Sequence, residues 1–418
     1  MLNSFCWCSS HTFPFNTNKA LTIMEVIREK PHMYPDFDEK KTESHYKQLK
    51  LFLLAMRNVE NKAGNLVTKP HFQVLDGLRG IAALGIVIFH FMEWVYDPAA
   101  NFIGHGFLAV DFFFCLSGFV IGYAFDSRIK IIGIKEFFKS RLIRLQPMVV
   151  LGSVLGLIAF LLDPFATYQL LYSGGRILII FLCSLFVIPF PVMPERSFNL
   201  FGVNAPAWSL FWEYVANIFY ALILYRLHRR ILWLLLIPAA ITLVYISNEK
   251  GNLLGGWNGE TFWDGGARIA YSFTAGLLIY RYHLIIKNKI GFIGLGVLLS
   301  LALLMPHFSF NGTAEAIVVI IYFPFLVALG AGATSSKRMT PVCKFAGEIS
   351  YPLYMTHYAA IWIYGNYFTK YHPGVKSLSL IVISGVILLI LFAWLVMKYI
   401  DIPVRKYLTR KRLHNFES

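Results

Sequence analysis

The sequence predicts an all-α protein that crosses a membrane many times. Of its 418 residues, 57% are hydrophobic and only 15% are charged, and the mean hydropathy is +0.57. Soluble globular domains rarely have this composition. Long apolar stretches follow one another from residue 78 onward. Because only helices and closed barrels satisfy every backbone hydrogen bond in lipid, stretches of this length indicate a polytopic transmembrane helical bundle.

Eleven apolar segments are candidate spans. They are 78–96, 107–125, 148–162, 174–193, 208–226, 231–247, 267–284, 290–306, 316–333, 349–366 and 378–399. The segment 148–162 is the exception, because it has 15 residues between Pro147 and Pro164, fewer than the ~17 to 25 needed to span. We therefore expect about ten spans plus one short or re-entrant segment.

The loops predict the orientation of these spans. The connection 126–147 holds six Lys or Arg, and the segments 226–230, 281–289 and 335–339 are also basic. Cytoplasmic loops carry such an excess of positive charge. Both termini then fall in the cytoplasm, which requires an even number of spans.

Three regions differ in composition. Residues 1–70 are polar and mixed, and are expected to form a cytoplasmic extension that is partly disordered, with Met24 as an alternative start. Residues 71–407 hold the apolar segments and form the transmembrane domain. Residues 408–418 form a basic cytoplasmic tail. No signal peptide is evident at the N-terminus.

Charge and cysteine content also indicate which classes of partner and ligand to expect. The net charge of +15 lies in short connections between apolar segments, which favours contact with membrane lipids over nucleic acid. The five cysteines stand at 6, 8, 115, 183 and 343. Their spacing predicts neither a disulfide framework nor a zinc or other metal site.

Ionisable residues occur inside several apolar segments. In LDGLRGIAALGIVIFHF, Arg79 and His90 are eleven residues apart. They fall within about 20° of one helix face and ~16 Å apart along the axis. Asp111, Glu213 and His357 lie in other spans. Such residues are costly in lipid and usually face the bundle interior at functional sites. The alternative is that Arg79 is a positive-inside anchor and His90 a hydrogen-bonded packing residue.

These stretches resemble the acyltransferase 3 family of bacterial integral membrane acyltransferases. The first stretch is similar to the family's Arg-X10-His signature, with Arg79 and His90 at its fixed positions. Four further stretches agree in order: GFLAVDFFFCLSGFVIG, FFKSRLIRLQP, WSLFWE and ISYPLYMTHY. The resemblance covers residues 75 to about 407. It implies a bacterial inner (cytoplasmic) membrane as the location. It implies an O-acyltransferase that moves an acyl group, commonly acetyl from acetyl-CoA, to a hydroxyl of a sugar or another acceptor of the cell envelope. Acyl-CoA is then a substrate, and no permanently bound cofactor is expected.

The catalytic residues implied are His90, Glu213 and Arg79. An imidazole suits the removal of a hydroxyl proton, as general base or as transient acyl carrier. Glu213 is expected to orient that imidazole, or alternatively to be an interhelical hydrogen-bond partner.

The phosphates of CoA suit an arginine-lined mouth. Arg79, Arg141 and Arg144 are expected there, with Ser117 at the site. The alternatives are lipid headgroup contacts for Arg141 and Arg144, and helix packing for Ser117 together with Gly118.

Supporting roles remain open for four residues. Asp111 is expected to pair with an arginine, and Trp208 to anchor at the membrane interface or to stack on a sugar. Tyr351 belongs to the last family stretch, and His357 is either supporting or structural. The loop 247–266 is the predicted source of acceptor specificity.

A different class of function fits the same composition. Buried Asp, Glu, Arg and His also form proton relays in proton-coupled transporters and flippases. A combined interpretation has the spans carry acetyl across the membrane to an acceptor outside.

Overall fold

The computed structural model describes residues 71–417. The predicted extension over 1–70, with Met24, Cys6 and Cys8, lies outside the described residues. Over 71–417 the secondary structure is helical and no β-strand forms. The all-α prediction is therefore confirmed.

The described part of the chain contains fourteen α-helices. They are α1 Gln73–Met92, α2 Ala109–Phe125, α3 Ile129–Ile132, α4 Ile134–Leu161, α5 Gly174–Leu185, α6 Ala207–Leu222, α7 Arg229–Lys250, α8 Phe262–Arg281, α9 Gly291–Leu303, α10 Asn311–Ile317, α11 Phe323–Gly332, α12 Thr340–Tyr371, α13 Val375–Val396 and α14 Ile402–Glu417. A π-helical turn at Val318–Tyr322 joins α10 to α11, and another at Met397–Asp401 joins α13 to α14.

Within 71–417, seven helices are long and apolar enough to cross a membrane. They contain α1, α2, α4, α6, α7, the α10–α11 rod and the α13–α14 rod. Helices α5 and α9 are apolar but shorter, with 12 and 13 residues. Helix α8 has 20 residues but carries Asp264, Arg268 and Arg281. The chain is thus an integral membrane protein, while the number of about ten spans is not confirmed.

The prediction that 148–162 is short or re-entrant is wrong. These residues continue α4, which has 28 residues and contains Pro147. At 1.5 Å per residue α4 is about 42 Å long, more than the ~30 Å hydrocarbon core. The apolar segment was counted only from Met148, after the basic run. The helix begins earlier, at Ile134, and includes that run. The short element is α5, which at about 18 Å cannot span.

Helices α1 and α12 pack closely and in the same direction. Gly347 approaches Asp76 so closely that an added Cβ would lie 2.5 Å from the Asp76 Cβ. Further along, the rings of His90 and His357 stack. Small residues permit such close helix contacts in lipid. We call the end of the bundle near Arg79 the arginine end, and that near His90 the histidine end.

Candidate active site

Arg79 and His90 lie on one uninterrupted helix, Arg79 in its second turn and His90 in its last turn. Helix α1 runs from Gln73 to Met92 and includes both. Eleven residues correspond to about 16 Å along the axis. The two residues therefore belong to two different clusters of polar side chains.

At the histidine end, His90 is paired with a carboxylate. The Nδ1 atom of His90 lies 2.7 Å from Oε1 of Glu93. The Tyr358 ring packs edge-on against the imidazole at 4.7 Å, and its hydroxyl lies 3.4 Å from the same Glu93 oxygen. The His90 and Glu93 side chains are 21% and 30% exposed, so this pair is accessible rather than enclosed.

The Glu93 contact determines the tautomer of His90. A carboxylate can only accept, so Nδ1 carries the hydrogen and donates it to Glu93. This leaves a lone pair on Nε2, which is the arrangement of a general base oriented by an acidic residue. The imidazole therefore has the form that proton removal from a hydroxyl requires.

His357 is a second imidazole with a fixed hydrogen. Its ring centroid lies 5.4 Å from that of His90, and the planes are inclined by 26°. Nδ1 of His357 donates to the carbonyl oxygen of Tyr354 at 2.8 Å. Its Nε2 is buried and has no hydrogen-bond partner among the described residues. The structure thus places two imidazole Nε2 atoms, each with a lone pair, in adjacent rings.

Glu213 is not the carboxylate that orients His90, and this expectation is corrected. Its Oε1 accepts hydrogen bonds from Arg141 at 2.6 Å and from Ser117 at 3.0 Å. Helix α6 places Glu213 against α2 and α4, at the level of the arginines. The carboxylate that does pair with His90 is Glu93, three residues further along the chain. Glu93 follows directly after the last residue of α1, and its spacing of one helical turn from His90 is the sequence signal that could have identified it.

The predicted arginines do converge at the arginine end. Arg79 lies 3.6 Å from Asp76 and interacts electrostatically with Arg144 and Glu213. Arg141 is bound to Glu213. The guanidinium of Arg144 lies 5.7 Å from the ring centroid of Tyr351. This concentration of guanidinium groups can bind a multiply charged anion.

Tyr351 and Ser117 support this cluster from neighbouring helices. The buried Tyr351 hydroxyl donates to the carbonyl oxygen of Leu145 at 2.6 Å, which fixes the ring beneath Arg144. Ser117 reaches the cluster through Glu213. Its neighbour Gly118 meets the backbone of Phe273, so this small residue permits close packing of α2 on α8.

Asp111 and Trp208 belong to a different, fully buried group. Asp111 accepts from Arg268 at 2.6 Å, and the two side chains are 0% and 1% exposed. The same guanidinium lies over the Trp208 ring, with the Arg268 Cζ atom 5.2 Å from the ring centroid. Trp208 is buried in the bundle, so its interpretation as an interfacial anchor is wrong. This group stabilises the bundle beside the two clusters.

The predicted specificity loop folds back onto the bundle. Arg268 donates to the carbonyl oxygen of Gly255, and Lys250 lies 2.5 Å from Asp264. The backbone N–H of Leu253 donates to Glu315. The role of the loop in choosing an acceptor stays a prediction.

Comparison with known proteins gives a family and two informative relatives. Residues 72–398 match a family model described as an acyltransferase domain. The chain is 26% identical to the O-acetyltransferase OatA of Staphylococcus aureus over 365 residues, covering 79% of this chain and 57% of OatA. It is 36% identical over 160 residues to protein 2 in the picA locus of Rhizobium radiobacter, covering 36% of this chain and 81% of that protein. The chain thus spans little more than half the length of OatA. No solved structure matches.

The family match covers well over half of the chain. It includes both clusters described above, from Arg79 to His357. The match also begins at Phe72, which is the first residue of the compact unit that contains the described helices. The chain therefore belongs to the acyltransferase 3 family.

Proposed function

We propose that the protein is an O-acyltransferase that moves an acetyl group from acyl-CoA to a hydroxyl of a carbohydrate or another envelope acceptor. The observation that carries this proposal is the Glu93–His90 pair, a carboxylate-oriented imidazole with a free Nε2 at the histidine end. The relative OatA, named an O-acetyltransferase, supports acetyl as the transferred group.

His90 acts on the acceptor hydroxyl. Nε2 removes the proton while the hydroxyl oxygen attacks the thioester carbonyl carbon. The new C–O bond forms, the C–S bond breaks, and the imidazolium returns the proton to the departing CoA sulfur. Glu93 stabilises the imidazolium that forms between these steps. In the alternative form, Nε2 itself attacks the thioester and carries the acyl group to the acceptor.

The arginine end holds the donor. Arg79, Arg141 and Arg144 bind CoA phosphates through charge-assisted hydrogen bonds. CoA joins its phosphates to its thioester through an extended pantetheine arm. One donor molecule can therefore have its phosphates among the arginines and its thioester toward His90, about 16 Å along α1. This end faces the cytoplasm of a bacterial inner membrane, where acyl-CoA is made.

The test is release of CoA from acetyl-CoA by the purified protein in nanodiscs, with cell-envelope glycan as acceptor. His90→Ala is expected to lower the rate roughly 10²- to 10⁴-fold, as loss of a general base does. Glu93→Gln keeps the size of the side chain and is expected to lower the rate by a smaller factor. Leu234→Ala is the control, since Leu234 is 69% exposed on α7.

Two results would contradict this function. A folded, monodisperse His90→Ala protein with wild-type turnover excludes His90 as base and as acyl carrier. A wild-type protein that neither binds acetyl-CoA nor releases CoA excludes the donor. In that case the buried ionisable residues should be tested as a proton-coupled transport path.

A further inference from the structure

The basic C-terminal helix reaches the arginine end of the bundle. A π-helical turn, Met397–Asp401, leads from α13 into α14. Asp401 is fully buried, and its Oδ2 accepts from Nη2 of Arg405 at 2.5 Å. Turns of this kind inside helices occur frequently at functional sites. The buried carboxylate fixes the direction of the Arg405 guanidinium.

Arg405 joins the arginines already described. It interacts electrostatically with Arg144 and with Arg79. Asp401 interacts with the same two arginines. Like charges in one cluster repel one another, and a bound anion relieves that repulsion. The C-terminal helix therefore adds a fourth guanidinium to a site that the chain otherwise forms from α1 and α4.

Several donors in this cluster have no acceptor among the residues that the structure describes. The Nε atoms of Arg141 and Arg405 are buried and without a hydrogen-bond partner among residues 71–417. The Arg144 guanidinium contacts the Tyr351 ring and hydrogen-bonds to none of the described residues. Buried donors are nearly always satisfied in folded proteins. An acceptor-rich anion would satisfy these donors, because phosphate oxygens match the fork of an arginine.

We propose that Arg405, held by Asp401, is a phosphate-binding residue that completes the donor site together with Arg144. The proposal rests on the proposed function for the identity of its ligand, the phosphates of CoA. An anionic lipid headgroup offers the same phosphate chemistry, so the test separates the two sources.

The experiment measures CoA binding to the full chain in nanodiscs of phosphatidylcholine, and thermal stabilisation by added phosphatidylglycerol. The variants are Arg405→Gln, Asp401→Asn and, as control, Arg410→Gln. Arg410 is exposed on the same helix and lies about 140° around it from Arg405. Each arginine variant removes one positive charge from α14, so general attraction of anions falls equally in both.

Arg405→Gln is expected to raise the Kd for CoA roughly tenfold, as loss of one charge-assisted hydrogen bond does. Asp401→Asn should raise it less, and Arg410→Gln should leave it unchanged. Loss of stabilisation by phosphatidylglycerol in Arg405→Gln, with CoA binding intact, would keep the phosphate site but overturn CoA as its ligand. An Arg405→Gln protein unchanged in both measurements overturns the proposal. If that variant still binds CoA like the wild type, the proposed function is unaffected.

Discussion

At the scale of single residues, the ion pairs divide the ionisable groups by task. Asp111 and Arg268 are enclosed on all sides and satisfied by each other. His90 and Glu93 are paired but partly exposed. An enclosed, fully paired ion pair holds helices together. An accessible His–Glu pair can react, because the imidazole Nε2 still has its lone pair. Burial and partner, rather than residue type, separate the two roles.

The enclosed pair supports a prediction about stability. Asp111→Ala leaves the Arg268 charge buried without its carboxylate, and removing one partner of a buried pair costs about 3–5 kcal/mol. The double variant Asp111→Ala, Arg268→Met removes both charges and should recover a large part of that loss. Thermal unfolding in nanodiscs measures both. A double variant no more stable than Asp111→Ala would contradict the argument.

Glu93 shows why residue roles were harder to predict than motifs. The family resemblance favoured Glu213 as the partner of His90, because Glu213 lies in one of the matching stretches. Helix geometry alone would have favoured Glu93, one turn from His90. The position of Glu213 depends on how α6 packs against α2 and α4, and this tertiary arrangement is not encoded in a local pattern. The arginines were predictable because basic residues gather at one end of several spans.

At the scale of elements, apolar length predicted where helices occur but not where they begin. Helix α4 includes a basic run that a hydropathy count treats as a loop. Long basic side chains keep their charge at the helix end while their stems lie along apolar surface. The length of the apolar segment therefore underestimates the length of a helix whose charged end lies within the bundle.

The contact between α1 and α12 supports a prediction at this scale. A Cβ at Gly80 would lie 2.5 Å from the Cβ of Ala346, so Gly80→Leu must push the two helices apart. Overpacking of this kind costs about 1–3 kcal/mol. It should also separate His90 from His357 and lower turnover. Thermal stability and CoA release are measured together, with Gly174→Leu as control, because an added Cβ at Gly174 meets nothing within 4 Å. Equal effects at both positions would contradict the proposed tight packing.

At the scale of the whole molecule, the two clusters lie toward opposite ends of α1, so the proposed reaction would have a direction across the membrane. Gln73 at the start of α1 accepts a hydrogen bond from Thr340 at 3.0 Å. The basic loop 335–339 therefore lies at the arginine end. The distribution of positive charge predicts that this end faces the cytoplasm and that the histidine end faces the opposite side. Donor and acceptor would then enter from different compartments.

Cysteine labelling tests this orientation. In a background with all five cysteines replaced by serine, Ser336→Cys reports the arginine end and Ala100→Cys the histidine end, and both positions are exposed. A membrane-impermeant maleimide should label Ala100→Cys in right-side-out vesicles and Ser336→Cys only in inside-out vesicles. The reverse pattern would place the arginines outside, away from cytoplasmic acyl-CoA. The donor site would then have to be sought at the histidine end, and the arginine cluster would be left to bind lipid phosphate.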